Sequence, residues 1–131
     1  MKKNNLHQLL SIIIALVWLI NGLFCKVLGL VPRHEMIVAK ILGTEHSRIL
    51  TILIGISEIL MAVWILSKLK PRFNAIAQII IIATMNTLEF FLAPELLLWG
   101  KYNSLYAVMF IVLIWSNELV RRDLSTIAQQ N

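Results

Sequence analysis

The chain has 131 residues, 59% of them hydrophobic and 15% charged, with a mean hydropathy of +0.80. Soluble domains run about 45–50% apolar and about 25% charged, and a soluble fold this small could not hide so much apolar surface. Five glycines, three prolines, one cysteine and no polar tract also exclude low-complexity, disordered and disulfide-scaffold classes. The composition is that of an integral membrane protein.

A helix crossing a hydrocarbon core of about 30 Å needs roughly 20 mainly apolar residues. Charged residues divide the chain into four such stretches, predicted at about residues 7–28, 48–67, 74–93 and 104–120. Residues 1–131 therefore read as a single all-α domain, a polytopic four-transmembrane-helix bundle. Lys2 and Lys3 before the first apolar run suggest a signal peptide, but no small-x-small cleavage site follows and the run is long. It is expected to stay as a helix. Along it Ser11, Ala15, Trp18, Gly22 and Lys26 recur every three or four positions, with Asn21 and Cys25 beside them. Small and polar residues are what hold helices together in lipid, where tails compete equally for apolar side chains.

The loop that follows, LVPRHEMIVAKILGTEHS, reads as a short helix lying in the membrane interface. Pro32 suits its first turn and Gly43 its end. Met36, Ile37, Ile41 and Leu42 are expected on one face, with Arg33, His34 and Lys40 off it. Such a helix packs on the bundle end or acts as a lid over a substrate. His34-Glu35 opens like a zincin motif, but Val38 stands where the second histidine belongs. His34, His46 and Cys25 could meet at this surface, yet no metal site is expected. Cys25 has no partner for a disulfide or a CxxC pair.

In the second span Thr51, Gly55, Glu58 and Ala62 form the stripe, and in the third Ala75, Gln78, Ile82, Met85 or Asn86, and Glu89. The fourth offers Ser104, Ala107, Ser116 and Asn117 before Arg121 and Arg122 stop it. Trp64, Trp99 and Trp115 lie near span ends as interface anchors, whereas Trp18 lies inside its span as a core or pocket wall. Glu58 sits roughly 15 Å along its helix from Arg48 at about 1.5 Å per residue, near the midplane. There an acid is disfavoured by about 2.5–3.5 kcal/mol, so it must be protonated, paired or wetted. It is expected to face the bundle interior and bond polar groups on the first or third helix, with Asn21 and Asn86 the favoured partners. Depth places Asn21, Lys26, Glu58, Asn86 and Glu89 in one half of the bundle, as a buried hydrogen-bond network or a pocket. In a pocket, Glu58 or Glu89 would shuttle a proton, and Lys26 would hold an anionic group or snorkel to the interface.

Lys and Arg set orientation. One side holds seven (Lys2, Lys3, Lys68, Lys70, Arg72, Arg121 and Arg122), the other five (Lys26, Arg33, Lys40, Arg48 and Lys101). Both termini are expected in the cytoplasm and the pocket on the opposite side. The net charge of +5 reads as topology and contact with anionic membrane lipids. No nucleic-acid motif is present.

Trp18-x-x-x-Gly22-x-x-x-Lys26 and Gly55-x-x-Glu58, with the Pro94 loop and Asn103 opening the fourth helix, resemble the DoxX-like family of small bacterial membrane proteins. The resemblance runs from about Leu9 to Val120. The family is similar in fold to a wider group that includes the membrane subunit of thiosulfate:quinone oxidoreductase. What the resemblance implies is four helices in the bacterial inner membrane and a polar pocket, sometimes linked to quinone or redox chemistry. It implies no single activity.

The candidate ligand residues are Trp18, Asn21, Gly22, Lys26, His34, Glu58, Asn86, Glu89 and Asn103. The expected function is an accessory or quinone- or lipid-pocket component of an envelope redox or lipid pathway, with a redox partner subunit or a second copy. No haem, iron–sulfur or nucleotide motif is present, so electron transfer would need a bound quinone or a partner. The alternative is a stand-alone membrane enzyme on a quinone, isoprenoid or lipid. A small exporter or channel is a third class, disfavoured because no inverted repeat or paired helix break is seen.

Overall fold

A computed structural model of the chain describes residues 2–96 and 102–130. Trp99 and Lys101 lie outside the described residues. Helix α1 spans Lys2–Leu19 and continues as a π-helical segment, Ile20–Val27. Helices α2 (Pro32–Leu42), α3 (Ser47–Ser67), α4 (Pro71–Leu92) and α5 (Tyr102–Gln130) follow, with a 3-10 turn at Pro94–Leu96. Among the described residues there is no strand. Four helices are long and apolar enough to cross a membrane: Asn4–Val27, Ser47–Ser67, Pro71–Leu92 and Asn103–Gln130.

The bundle is packed inside out relative to a soluble one. Thr51, Glu58, Asn74, Gln78, Asn117, Glu118 and Lys26 are buried, whereas Leu60, Val63 and Phe91 face outward. That is the arrangement lipid favours, because a polar group turned towards hydrocarbon finds no hydrogen-bond partner. A small apolar core of Ile14, Ala15, Trp18, Met61, Ala62, Ala75 and Ile114 sits between the polar layers. Helix α1 packs on α3 and α5, and α4 packs on α5, while α3 and α4 barely touch.

The expected stripe of α3 is buried as a unit. In α1 and its π segment Ala15, Trp18, Gly22 and Lys26 are buried as expected, and α5 departs from its stripe. Ser116 is exposed, and Glu118 is buried with Asn117 in its place. Arg121 and Arg122 do not end α5, which continues to Gln130. Charge ends a hydrocarbon span, but the helix itself needs only its backbone bonds, and residues after 120 are compatible with them. Arg121 folds back onto Glu118 one turn earlier.

The π segment is the main departure from regular helix. Leu28 N bonds Leu23 O at 2.9 Å, five residues back, and Leu30 N bonds Phe24 O at 3.0 Å. The widened turn leaves carbonyls unpaired at the helix end. Arg48 satisfies two of them, with Nη1 donating to Lys26 O at 2.9 Å and Nη2 to Val27 O at 2.8 Å. The guanidinium fits because Gly29, at φ +67°, both turns the chain and leaves room where a Cβ would lie 3.2 Å from Nη1.

Candidate functional site

Two glycines set the geometry of the loop end. Gly22 on the π segment and Gly55 on α3 pack backbone against backbone. A Cβ on Gly22 would lie 2.5 Å from Gly55 O, and one on Gly55 2.6 Å from Gly22 O. This crossing brings the next turn of each helix within reach. Lys26 Nζ lies 2.9 Å from Glu58 Oε1 and donates to Oε2 at 3.1 Å, with both side chains under a tenth exposed. The partner of Glu58 is therefore Lys26, and not Asn21 or Asn86. Lys26 is buried at 6% exposure and does not snorkel to the interface. The close backbone crossing puts the carboxylate within contact of the ammonium, and a charge buried with its partner avoids the large cost of an unpaired one. Asn21 instead bonds its own helix, Nδ2 to Val17 O at 2.9 Å.

The ion pair forms one wall of a cavity of about 270 Å³. Lys26 and Glu58 face α4 and α5 across it, and α2 covers its end. Trp18, Asn21, His34, Asn86, Glu89 and Asn103 also line it, while Gly22 stands behind the ion pair as the close-contact residue. Apolar walls come from Val17, Ile37, Ile82, Met85, Ala107 and Phe110. Asn103 Nδ2 donates to Asn86 Oδ1 at 3.0 Å, and Asn86 Nδ2 to Ser104 Oγ at 3.4 Å, so the opposite wall carries a fixed amide pair. Glu89 has no ion-pair partner among the described residues.

Helix α2 contributes differently from its expected face. Ile37 and Val38 are buried, whereas Met36 and Leu42 are exposed. The rotation turns Arg33 and His34 towards the cavity. Arg33 was not a candidate, because a basic residue in a loop reads as a solvated face. Its Nε is buried without a hydrogen-bond partner among the described residues. Burial, with Lys26 and Arg33 nearby, pushes His34 down from 6.5 to about 4. At neutral pH it is an uncharged imidazole with one N–H and one free ring nitrogen. An exposed pair, Lys40 with Glu95, ties α2 to the 3-10 turn. Among the described residues no group of three His, Cys, Asp or Glu is placed to hold a metal, so His34, His46 and Cys25 do not assemble.

A second cavity, also of about 270 Å³, opens at the terminal end among His7, Lys68, Asn74, Gln78, Asn117, Glu118 and Arg121. Gln78 and Asn117 lie on the inward stripes of their helices, and periodicity alone does not mark them as a site. Trp18 separates the two cavities. Its ring lines the first, and its indole N–H donates at 2.8 Å to Gln78, which lines the second.

The fold and cavities define a small multi-pass membrane protein with a polar interior that holds two cavities. The chain belongs to the DoxX-like family, whose profile matches residues 15–115. That range holds the Trp18–Gly22–Lys26 and Gly55–Glu58 motifs together with the cavity they build. No curated protein and no solved structure matches the chain.

Proposed function

We propose that the chain is the small-molecule-binding membrane component of a redox or lipid pathway in a bacterial inner membrane, and that the loop-end cavity holds the head of a quinone or similar lipid. The observation that carries this reading is the meeting, in one cavity, of apolar walls with a donor-rich end. Trp18, Ile82, Met85 and Phe110 suit a ring or the start of a chain. Lys26, Arg33 and neutral His34 can donate to carbonyl oxygens. With two basic side chains, Lys26 and Arg33, facing two acids, Glu58 and Glu89, the lining is balanced in formal charge and favours an uncharged, acceptor-bearing head. Electrons would enter or leave through a partner subunit, as the quinone itself would be the carrier. Both termini lie in the cytoplasm in this reading, and the cavity opens towards the other leaflet.

Native mass spectrometry of the detergent-purified full chain, extracted with its membrane lipids, tests it. A retained quinone or prenyl lipid, lost in Arg33→Gln and His34→Leu variants, is the expected result. A wild-type protein that retains none, and shows no saturable binding of added ubiquinone, removes the proposal.

One observation favours a second reading, a stand-alone enzyme on the same substrate class. Glu89 faces the cavity with no ion-pair partner, which leaves it available to move a proton, whereas Glu58 is held by Lys26. Glu89→Gln would then abolish turnover while ligand retention stays intact.

A further inference from the structure

The terminal-end cavity differs in chemistry from the loop-end one. Asn74, Gln78 and Asn117 are at least nine-tenths buried in its wall. Gln78 Nε2 donates to Asn74 Oδ1 at 2.6 Å, Asn74 Nδ2 to Met61 Sδ at 3.4 Å, and Asn117 Nδ2 to Ser11 Oγ at 3.0 Å. A primary amide carries two N–H donors, so each keeps a second one. His7 Nδ1 meets Asn117 Oδ1 at 2.8 Å. The acid in the lining, Glu118, is gripped by Arg121, with Nε at 2.8 Å from Oε1 and 3.1 Å from Oε2. That leaves Lys68, in the cavity lining and in no ion pair among the described residues. Surplus N–H groups beside an unmatched ammonium select an anion.

The cavity shares Pro71 and Arg121 with a shallow groove that adds Lys70, Arg72, Phe73 and Ile76. Lys68 and Lys70 both sit at positive φ, 61° and 43°, a conformation uncommon outside glycine. The tight turn they make puts one lysine at the cavity and the other at the groove. Phe73 is 64% and Ile76 40% exposed, an apolar edge beside the cations of the groove.

We infer that cavity and groove together form a binding site for an anionic phospholipid. The phosphate accepts from Lys68 and the spare amide N–H groups, Lys70 and Arg72 flank it, and the first part of an acyl chain crosses Phe73 and Ile76. A free phosphate would use the cavity alone. The cation-rimmed apolar groove continuous with it selects the lipid. The assignment does not rest on the loop-end cavity or on any molecule held there.

Native mass spectrometry of the full chain in detergent, offered phosphatidylglycerol and phosphatidylcholine in equal amounts, tests the assignment. Wild type retains one phosphatidylglycerol in preference. Removing a cation weakens retention about fivefold, so Lys68→Gln with Arg72→Gln lowers it about 25-fold. Both residues are exposed, and the double variant keeps its fold and its loop-end ligand. Lys40→Gln, at the opposite end, keeps the preference. Equal retention of the two lipids by wild type overturns the site, as does a Lys40→Gln loss matching that of the double variant. If inorganic phosphate displaces phosphatidylglycerol at equal concentration, the cavity binds free anions and the lipid assignment fails.

Discussion

The indole N–H of Trp18 donates to Gln78 Oε1 at 2.8 Å, and this bond closes the bundle interior across its middle. Both residues are buried, at 6% and 3% exposure. Gln78 in turn donates to Asn74, so one indole terminates a polar chain that reaches the terminal-end cavity. Trp18→Phe keeps most of the ring but leaves Gln78 Oε1 without its donor. It should lower stability by about 1–3 kcal/mol, read as a lower midpoint of thermal unfolding in detergent. Adding Gln78→Leu should recover part of the loss.

Gly22 and Gly55 should tolerate no side chain, because the atom each Cβ would meet is a backbone carbonyl that cannot swing aside. Gly22→Ala and Gly55→Ala should each destabilise by about 1–3 kcal/mol or more. Leu53→Ala, on an exposed face, should stay within about 0.5 kcal/mol. Equal stability of all three variants would refute the close crossing.

The Lys26–Glu58 pair separates scaffold from site. Breaking a buried pair from one side strands a charge and costs about 3–5 kcal/mol, so Lys26→Met and Glu58→Leu should each destabilise strongly. The double variant should be far more stable than the sum of the two predicts. If it folds but retains no quinone or prenyl lipid, the pair belongs to the binding site as well as to the fold.

His34 gives a pH signature with a definite sign. Its folded value of about 4 lies below the ordinary 6.5, so the unfolded chain binds the proton more readily. Stability from the neutral imidazole is present above 6.5 and is lost as pH falls from 6.5 towards about 4. Thermal unfolding across this window should show a decline that His34→Gln flattens.

Topology is checked by labelling. In a Cys25→Ser background, a cysteine at Lys40 should react with an impermeant thiol reagent from the periplasmic side, and one at Lys70 should not. The reverse pattern would place the loop-end cavity in the cytoplasmic leaflet.

Much of the architecture was legible in the chain itself. Four apolar stretches bounded by charges required four helices, because hydrocarbon accepts no unpaired backbone. The recurrence of Thr51, Gly55, Glu58 and Ala62 every three or four positions identified a buried face, since lipid sorts small and polar residues inward. Depth along each helix was enough to group Asn21, Lys26, Glu58, Asn86 and Glu89, which all line one cavity.

Pairing within that group was decided by tertiary structure. Depth alone cannot distinguish a lysine that reaches for the interface from one turned into the bundle. The choice rests on how closely two backbones approach, and the Gly22–Gly55 crossing sets that distance. The π turn at Ile20–Val27 left no mark in the pattern of residue types, and two carbonyls at its end are capped by Arg48 from another helix. The same holds for the rotation of α2 that brings Arg33 and His34 inward. The terminal-end cavity joins His7 to Asn117, residues from the two ends of the chain. Periodicity is a property of one helix and reports which face is buried. Which buried groups meet depends on the distances between helices, and those exist only once the bundle has packed.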